Sequence, residues 1–275
     1  MIPKNEVRNQ ILLLFRIFIN DIDEDGSSSW SEKYLWGLDP LEWSTDGDNI
    51  PDGYEVIHNL DPHHYSNEES NDLDSDALID KVEYDNRRHG STPNRKDIFV
   101  EVDWMKENDG TQFRFKEESQ NMVIYSFAKQ NIGLHIDDGC MGGGNSITMT
   151  DELKYLEESE EDVLLSTHFD NTNRGGIFFY CIFAYRNSPN EGSGSGILGE
   201  SGKPFIVFDA TRWDATDQAH TFMHELGHNL IKGPNRDKHN FDGHEHCENK
   251  CAMNSGTDYV QYCDPFWEAI EIDPW

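Results

Sequence analysis

From about residue 97 onward, apolar residues form short unbroken runs separated by polar segments. The run Asp97–Trp104 combines β-branched and aromatic residues and predicts a buried strand. Three more runs of this kind predict strands at 132–136, 177–185 and 205–210. Residues 113–131 carry apolar positions at helical spacing and predict a helix between the first two strands. The glycine-rich stretch 139–145 lacks the Lys-Ser/Thr pair of a phosphate-binding loop, so it predicts a turn.

A second helix is predicted directly after the fourth strand. Residues 211–217 are polar and offer Asp214, Thr216 and Asp217 as N-caps. Beyond them, one side of the helix is expected to be buried, because apolar residues recur at helical spacing: Ala219, Phe222, Met223, Leu226 and Leu230. Together these elements predict an α+β domain over residues 96–275, with 91–96 as a linker or turn before it.

The second predicted helix contains the motif His224-Glu225-Leu226-Gly227-His228. Histidines four residues apart project from one helix face, so both imidazoles can bind one metal ion. Zinc lowers the pKa of a bound water to about 7. Glu225 lies between the two histidines in the motif, and a carboxylate at that position can act as general base on this water. The motif alone is also compatible with two structural histidines on an ordinary amphipathic helix, so its interpretation depends on further ligands.

The residues downstream of the helix resemble the metzincin peptidases. A catalytic zinc needs a third protein ligand and an open position, and the chain continues with Gly243-x-x-His246, Cys247 and Cys251-x-Met253. In metzincins the helix motif is followed by Gly-x-x-His and by a methionine in a turn below the zinc. The adjacent pair of His246 and Cys247 is most similar to the archaemetzincin branch. The resemblance implies a zincin-like domain in which a mixed twisted sheet covers the active-site helix. It also implies zinc held by His224, His228 and His246, with Met253 in the Met-turn.

The chain departs from that pattern in two places. Residues 229–242 form an insertion before the third ligand, which leaves His239, His244 and Glu248 as competitors of His246. We favour His246 because it combines the Gly-x-x-His spacing with the adjacent cysteine. Archaemetzincins also carry a four-cysteine zinc site near this point, whereas here the final pair is interrupted after Cys263. A second zinc therefore needs another group beside Cys247, Cys251 and Cys263. The alternative is a disulfide among these three or with Cys140 or Cys181.

The first 95 residues contain a repeated acidic pattern. Segments 21–32, 44–55 and 72–83 place oxygen-bearing side chains mainly at positions 1, 3, 5, 9 and 12. Calcium takes six to eight oxygen ligands, and this spacing wraps one chain segment around such an ion. The expected calcium ligands are Asp21, Asp23, Asp25 and Glu32; Asp46, Asp48, Asp52 and Glu55; and Asp72, Asp74, Asp76, Asp80 and Glu83. The repeats resemble thrombospondin type 3 and dockerin-like calcium repeats, which implies up to three structural calcium ions. A disordered acidic linker is the alternative.

The net charge and the apolar segments of the chain limit the classes of partner and the locations that are expected. With 53 acidic and 22 basic residues, the formal charge of −31 argues against a nucleic-acid partner. The apolar segment 11–19 is interrupted by Arg16 and is too short to span a membrane. It also lacks the flanks of a complete secretion signal. The calcium repeats nevertheless favour an extracellular protein. The expected organisation is an N-terminal segment 1–20, a calcium-repeat region 21–95 and a zincin-like domain 96–275.

These patterns predict a calcium-stabilised zinc peptidase acting on a peptide or protein substrate. Glu225 is the expected general base, and Tyr259 or Tyr262 is a candidate hydrogen-bond donor to the developing oxyanion. One alternative is a noncatalytic, calcium-dependent adhesion or scaffold protein with a degenerate zincin domain. Another is a metalloenzyme acting on a nonpeptide amide. The intact His224, Glu225 and His228 favour an enzyme.

Overall fold

The structure is a computed structural model, and it describes residues 20–66, 71–148, 158–169, 171–184, 205–208, 214–230, 251–253, 259–270 and 272. The chain divides into two compact units, unit 1 (Met1–Asn94) and unit 2 (Arg95–Trp275). In the described part of the chain, no helix has the length and apolar character needed to cross a membrane.

Unit 1 repeats an acidic loop followed by a short helix. The helices are α1 (Ser29–Ser31, continued by a π-helical turn Glu32–Trp36), α2 (Asp52–His58) and α3 (Asp80–Asn86, continued by a 3₁₀ turn Arg87–His89). The helices of the first two repeats end on residues in the left-handed conformation, Gly37 and Asn59. Each of these residues is followed by Leu-Asp-Pro.

The interior of unit 1 is dominated by carboxylates. Its buried large apolar side chains, among the described residues, are Leu38, Ile50, Leu78 and Tyr84. Eight carboxylates are buried beside them: Asp25, Glu32, Asp48, Asp52, Glu55, Asp76, Asp80 and Glu83. Burying a charge is unfavourable unless it is paired with an opposite charge or a metal ion. Hydrophobic burial alone therefore does not account for the stability of this unit.

Unit 2 is built on a parallel sheet. Its strands are β1 (Asp97–Lys106), β2 (Gly133–Asp137), β3 (Ser146–Thr148), β4 (Phe178–Ala184) and β5 (Phe205–Phe208). The strand order is β2-β1-β4-β5, and β3 pairs with the carboxyl-terminal end of β1. Every pairing between these five strands is parallel, so the described sheet differs from the mixed sheet that the sequence resemblance implies. The central strand β1 is almost entirely buried, as expected for a parallel sheet covered on both faces.

The helices in the described part of unit 2 are α4 (Glu117–Ala128), α5 (Glu158–His168), α6 (Asn171–Arg174), α7 (Ala215–Leu230) and α8 (Asp264–Ala269). The motif helix α7 packs against α4 and β5. Stacked rings of Phe115, Phe183 and Phe222 join α7 to the sheet, with centroids 4.7 Å apart in both pairs. Gln218 is fully buried, and its side-chain oxygen accepts the backbone N–H of Lys116, the N-cap of α4. These contacts fix the position of α7 in the unit.

A buried ionic cluster holds the glycine-rich loop that follows β2. Arg174 donates to Glu101 at 2.8 Å and to Asp137 at 2.5 Å. Asp137 also accepts three backbone N–H groups of the loop, from Gly139, Met141 and Gly143. Burial raises the pKa of Glu101 to about 7, although the Arg174 charge opposes that shift. The loop is therefore a turn organised around one carboxylate, in agreement with its predicted character.

The sequence predicted the main elements with small boundary differences. The four predicted strands correspond to β1, β2, β4 and β5, and the two predicted helices correspond to α4 and α7. The short strand β3 and helices α5, α6 and α8 were not predicted.

Candidate metal sites

The three acidic segments of unit 1 share one pattern of internal hydrogen bonds. We refer to residues 21–32, 44–55 and 72–83 as loops 1, 2 and 3. In every loop the fifth residue accepts the backbone N–H two positions later, at distances of 2.6, 2.6 and 2.8 Å. The side chain at the ninth position, which is Ser29, Asp52 or Asp80, accepts the N–H of the second residue at 2.8–3.2 Å. Each loop is thereby folded around a common centre.

Carboxylates converge on those centres. Potential ligand oxygens lie within 4.8 Å of one another in three groups: Asp21, Asp23 and Asp25; Asp46, Asp48 and Glu55; and Asp72, Asp74 and Asp76. Like charges this close repel each other unless a proton or a cation lies between them. Each cluster contains three of the residues expected from the sequence as ligands, whereas Glu32, Asp52, Asp80 and Glu83 lie outside these three groups.

The glutamates at position 12 of loops 1 and 2 add buried carboxylates beside these clusters. Glu32 and Glu55 are fully buried, and no hydrogen-bond partner contacts their carboxylate oxygens within the described residues. Burial, reinforced by the charges of Asp23 and Asp25, raises the pKa of Glu32 to about 7. Burial, reinforced by Asp48 and Asp46, raises the pKa of Glu55 to about 9. A buried carboxylate among other carboxylates is a poor structural group by itself but a suitable ligand for a hard cation.

Loops 1 and 2 are linked through a single glycine. Asp25, the fifth residue of loop 1, accepts the backbone N–H of Gly53 in α2 at 2.6 Å. A Cβ added at Gly53 would lie 2.6 Å from the nitrogen of Ser27 and 2.7 Å from the carbonyl oxygen of Asp25. Both contacts are to backbone atoms, so no side-chain movement can relieve them. The glycine lets the two loops approach each other closely enough for this bond.

Replacing Gly53 with alanine is therefore expected to separate loop 1 from α2. We expect a loss of about 1–3 kcal/mol in the free energy of unfolding, typical of inserting a methyl group into a packed contact. Any binding of calcium by loop 1 should weaken as well, because Asp25 loses its hydrogen-bond donor. Urea unfolding and calcium titration of the full chain measure both effects. Ile57→Ala, an exposed position on the same helix, is the control and should change neither; equal behaviour of the two variants would contradict the contact.

The motif helix α7 brings its two histidines together. His224 and His228 place their Nε2 atoms 3.1 Å apart, with the ring planes at 82°. Nδ1 of His224 lies 2.9 Å from the carbonyl oxygen of Ala252. A carbonyl oxygen only accepts, so Nδ1 carries the proton and the Nε2 of a neutral ring carries the lone pair. Burial lowers the pKa of His224, which favours that neutral form.

The segment Cys251–Met253 lies beneath the motif. A Cβ added at Gly227 would lie 2.5 Å from Sδ of Met253, 3.1 Å from Phe266 and 3.2 Å from Tyr262. Glycine at this position of the motif therefore permits the close approach of the methionine. Sδ of Met253 lies against the helix at Gly227, the residue directly before His228.

Glu225 lies inside the unit, with only 5% of its surface exposed. Its carboxylate is close enough to Tyr262 and Cys181 to contribute to their raised pKa values, for which burial is the main cause. Tyr262 itself is buried and donates its hydroxyl to the carbonyl oxygen of Met223 at 2.5 Å. The suggested role of Tyr262 as an oxyanion donor is therefore not supported, because that hydroxyl already binds the helix backbone. Tyr259, the other candidate, is 38% exposed.

The cysteines show no disulfide among the described residues. Cys140 and Cys181 are free thiols. The backbone N–H of Cys263 donates a hydrogen bond of 3.2 Å to Sγ of Cys251. Several predicted site residues lie outside the described residues: His239, His244, His246, Cys247 and Glu248.

One residue near the motif was missed in the sequence. His220 precedes His224 by four positions, and its Nδ1 lies 3.0 Å from the carbonyl oxygen of Tyr259. The signal was a third histidine at the spacing of the first two, His220-x-x-x-His224-x-x-x-His228.

In comparisons with known proteins, the chain matches no protein-family model and no curated sequence.

Proposed function

We propose that this chain is a zinc-dependent hydrolase of peptide bonds, with a zincin-like catalytic unit of the metzincin type and a calcium-stabilised repeat unit. The observation that carries the proposal is the 3.1 Å separation of the Nε2 atoms of His224 and His228. The glutamate between the histidines and the methionine beneath them add support. An extracellular location, where calcium is abundant, fits the repeat unit.

The two histidines fit a zinc ion. Zinc binds imidazole nitrogen at about 2.0–2.1 Å with tetrahedral angles, which places two ligand nitrogens roughly 3.3 Å apart. The observed separation is close to that value. The carbonyl oxygen of Ala252 holds His224 in the tautomer that a metal ligand needs, as backbone carbonyls commonly do for zinc-binding histidines. His246 is the proposed third ligand, with His239, His244 and Glu248 as the alternatives.

Bound zinc would polarise the carbonyl of a substrate and lower the pKa of a water molecule. Glu225 would accept a proton from the attacking water and return it to the leaving amine. His224 and His228 would hold the metal together with the proposed third ligand, His246. Met253 would support the underside of the histidine pair without contacting substrate.

In unit 1 the proposed ions are calcium. The clustered groups offer oxygen atoms alone, which suit hard cations such as calcium and not zinc. The buried carboxylates of Glu32 and Glu55 would complete loops 1 and 2, and Glu83 would complete loop 3. In this role calcium would replace the hydrophobic packing that unit 1 lacks.

A noncatalytic scaffold is the second candidate, and one feature of unit 1 favours it. Several large apolar side chains are exposed there: Tyr34, Leu35, Trp36, Leu41 and Ile57. Exposed apolar residues commonly mark interaction surfaces when they form a patch. A scaffold of this kind would bind calcium and hydrolyse no peptide.

Metal analysis together with peptide hydrolysis tests the proposal. We expect one equivalent of zinc per unit 2 and cleavage of a general internally quenched peptide library. His224→Ala and His246→Ala should each lose zinc and activity, because each removes one of three protein ligands. His239→Ala and His244→Ala serve as controls and should retain both. A wild type that holds no zinc would favour the scaffold, and zinc loss in a control variant would reassign the third ligand.

A further inference from the structure

The motif helix carries a row of three histidines along one face. His220, His224 and His228 are each four residues apart, and the rings of the first two lie 6.2 Å apart between centroids. The proposed zinc site uses the last two. The function of the first histidine is not explained by that site.

His220 is held in the same tautomer as the zinc-site histidine beside it. Nδ1 of His220 faces the carbonyl oxygen of Tyr259, as Nδ1 of His224 faces that of Ala252. Nδ1 of each of these two histidines must donate the hydrogen bond, because a carbonyl oxygen only accepts. In the neutral state, Nε2 of each ring is then a hydrogen-bond acceptor or a metal ligand.

The two carbonyl groups belong to segments that are bonded to each other. The backbone N–H of Ala252 donates to the carbonyl oxygen of Gln261 at 2.7 Å. Tyr262, the residue after Gln261, donates its hydroxyl to the carbonyl oxygen of Met223 in the helix. Segments 251–253 and 259–263 therefore form one support that orients both imidazoles. Since Nδ1 and Nε2 diverge across an imidazole ring, both Nε2 atoms point away from this support.

His220 lies too far along the helix to share the ion of His228. Eight residues of α-helix rise about 12 Å, which no single ion can bridge. One helical turn, in contrast, rises about 5.4 Å, and an extended peptide advances about 3.3 Å per residue. A peptide whose scissile carbonyl lies at the zinc pair would therefore place a backbone group one or two residues away beside His220.

We propose that His220 accepts a hydrogen bond from a backbone N–H of the peptide substrate, next to the scissile bond. This inference rests on the proposed peptidase function. His220 is then a substrate-positioning residue, and the chemistry that it recognises is an amide N–H one or two residues from the cleaved bond. A substrate with an ester oxygen at that place offers no donor and loses the contact.

Binding to a catalytically inactive variant tests the proposal independently of turnover. Zinc-loaded Glu225→Gln would be titrated by calorimetry with a peptide that the wild type cleaves. The same peptide would be tested with each amide flanking the cleaved bond replaced in turn by an ester. We expect one ester to bind roughly 3- to 10-fold more weakly, the size of a typical net hydrogen bond. In Glu225→Gln/His220→Ala the parent peptide should lose the same factor, and that ester should lose nothing further.

Zinc content and turnover separate the outcomes. His220→Ala in the otherwise wild-type chain should retain full zinc and show a higher KM with a smaller change in kcat. His64→Ala, an exposed histidine of unit 1, should match the wild type. Zinc loss in His220→Ala would overturn the proposal, as would additive losses for every ester. A zinc-loaded wild type that cleaves no peptide would instead overturn the proposed peptidase function.

Discussion

Replacing Glu225 with glutamine is expected to reduce kcat for peptide hydrolysis by about 10²- to 10⁴-fold, the usual contribution of a general base. Glutamine keeps the shape of the side chain, but its amide does not take a proton from water. Zinc should stay bound at one equivalent, because Glu225 is not a proposed ligand. The measurement pairs hydrolysis of an internally quenched peptide with metal analysis of the same sample.

The matched control is Glu268→Gln, an exposed glutamate of α8 in the same unit. It removes the same charge from unit 2, so a general electrostatic effect would appear in both variants. Glu225→Ala should lose at least as much activity as the glutamine variant, with the same zinc content. If zinc-loaded Glu225→Gln retained activity within a few-fold of the wild type, Glu225 would not be the base.

The helix motif was accessible from the sequence because its chemistry is local. Residues 224, 225 and 228 lie within two helical turns, so helical periodicity alone places both histidines on one face. The partner that fixes the tautomer of His224 is different. Ala252 lies 28 positions away and contributes only a backbone carbonyl, which leaves no trace in the sequence. The same holds for Tyr262, whose position in the chain suggested a substrate contact but whose hydroxyl binds Met223.

The strands of unit 2 were predicted from continuous apolar runs, whereas their directions were not. The described sheet is parallel, and strand direction depends on crossover connections that hydrophobicity does not encode. Two carboxylates in the apolar run of β1, Glu101 and Asp103, were the available sign of a buried polar cluster. Arg174, the partner of Glu101, lies in a four-residue helix with no periodic pattern, so that pairing became visible only in three dimensions.

In unit 1, regular spacing predicted the acidic clusters because each loop is a local structure. The link between loops was less accessible. Gly53 belongs to the Pro-Asp-Gly sequence of loop 2, but its close contacts are with Asp25 and Ser27 of loop 1. A glycine needed for packing against another repeat cannot be distinguished in one sequence from a glycine needed for its own turn.

Removing divalent cations is expected to make unit 1 progressively less stable as the pH rises. The pKa values of Glu32, about 7, and Glu55, about 9, both exceed the ordinary value of 4.5. A carboxyl group with a raised pKa in the folded state takes up a proton on folding. Its contribution to stability is complete below pH of about 4.5 and is lost as the pH rises through 7 and then 9. Each pKa unit corresponds to about 1.4 kcal/mol, so the combined loss should reach several kcal/mol.

Calcium should reverse this dependence, because the cation takes the place of the proton between the carboxylates. In millimolar calcium, unit 1 should stay stable up to pH 9, and the apparent calcium affinity should increase with pH. Hydrogen exchange of the full chain, followed by mass spectrometry on peptides from 20–66 and 71–94, reports on unit 1 separately. In EDTA at pH 9, Glu55→Gln should exchange more slowly than the wild type, while in calcium it should lose the ion of loop 2. Glu42→Gln, exposed in the same unit, should follow the wild type. If exchange in EDTA were independent of pH, the buried glutamates would not carry the charge that calcium is proposed to neutralise.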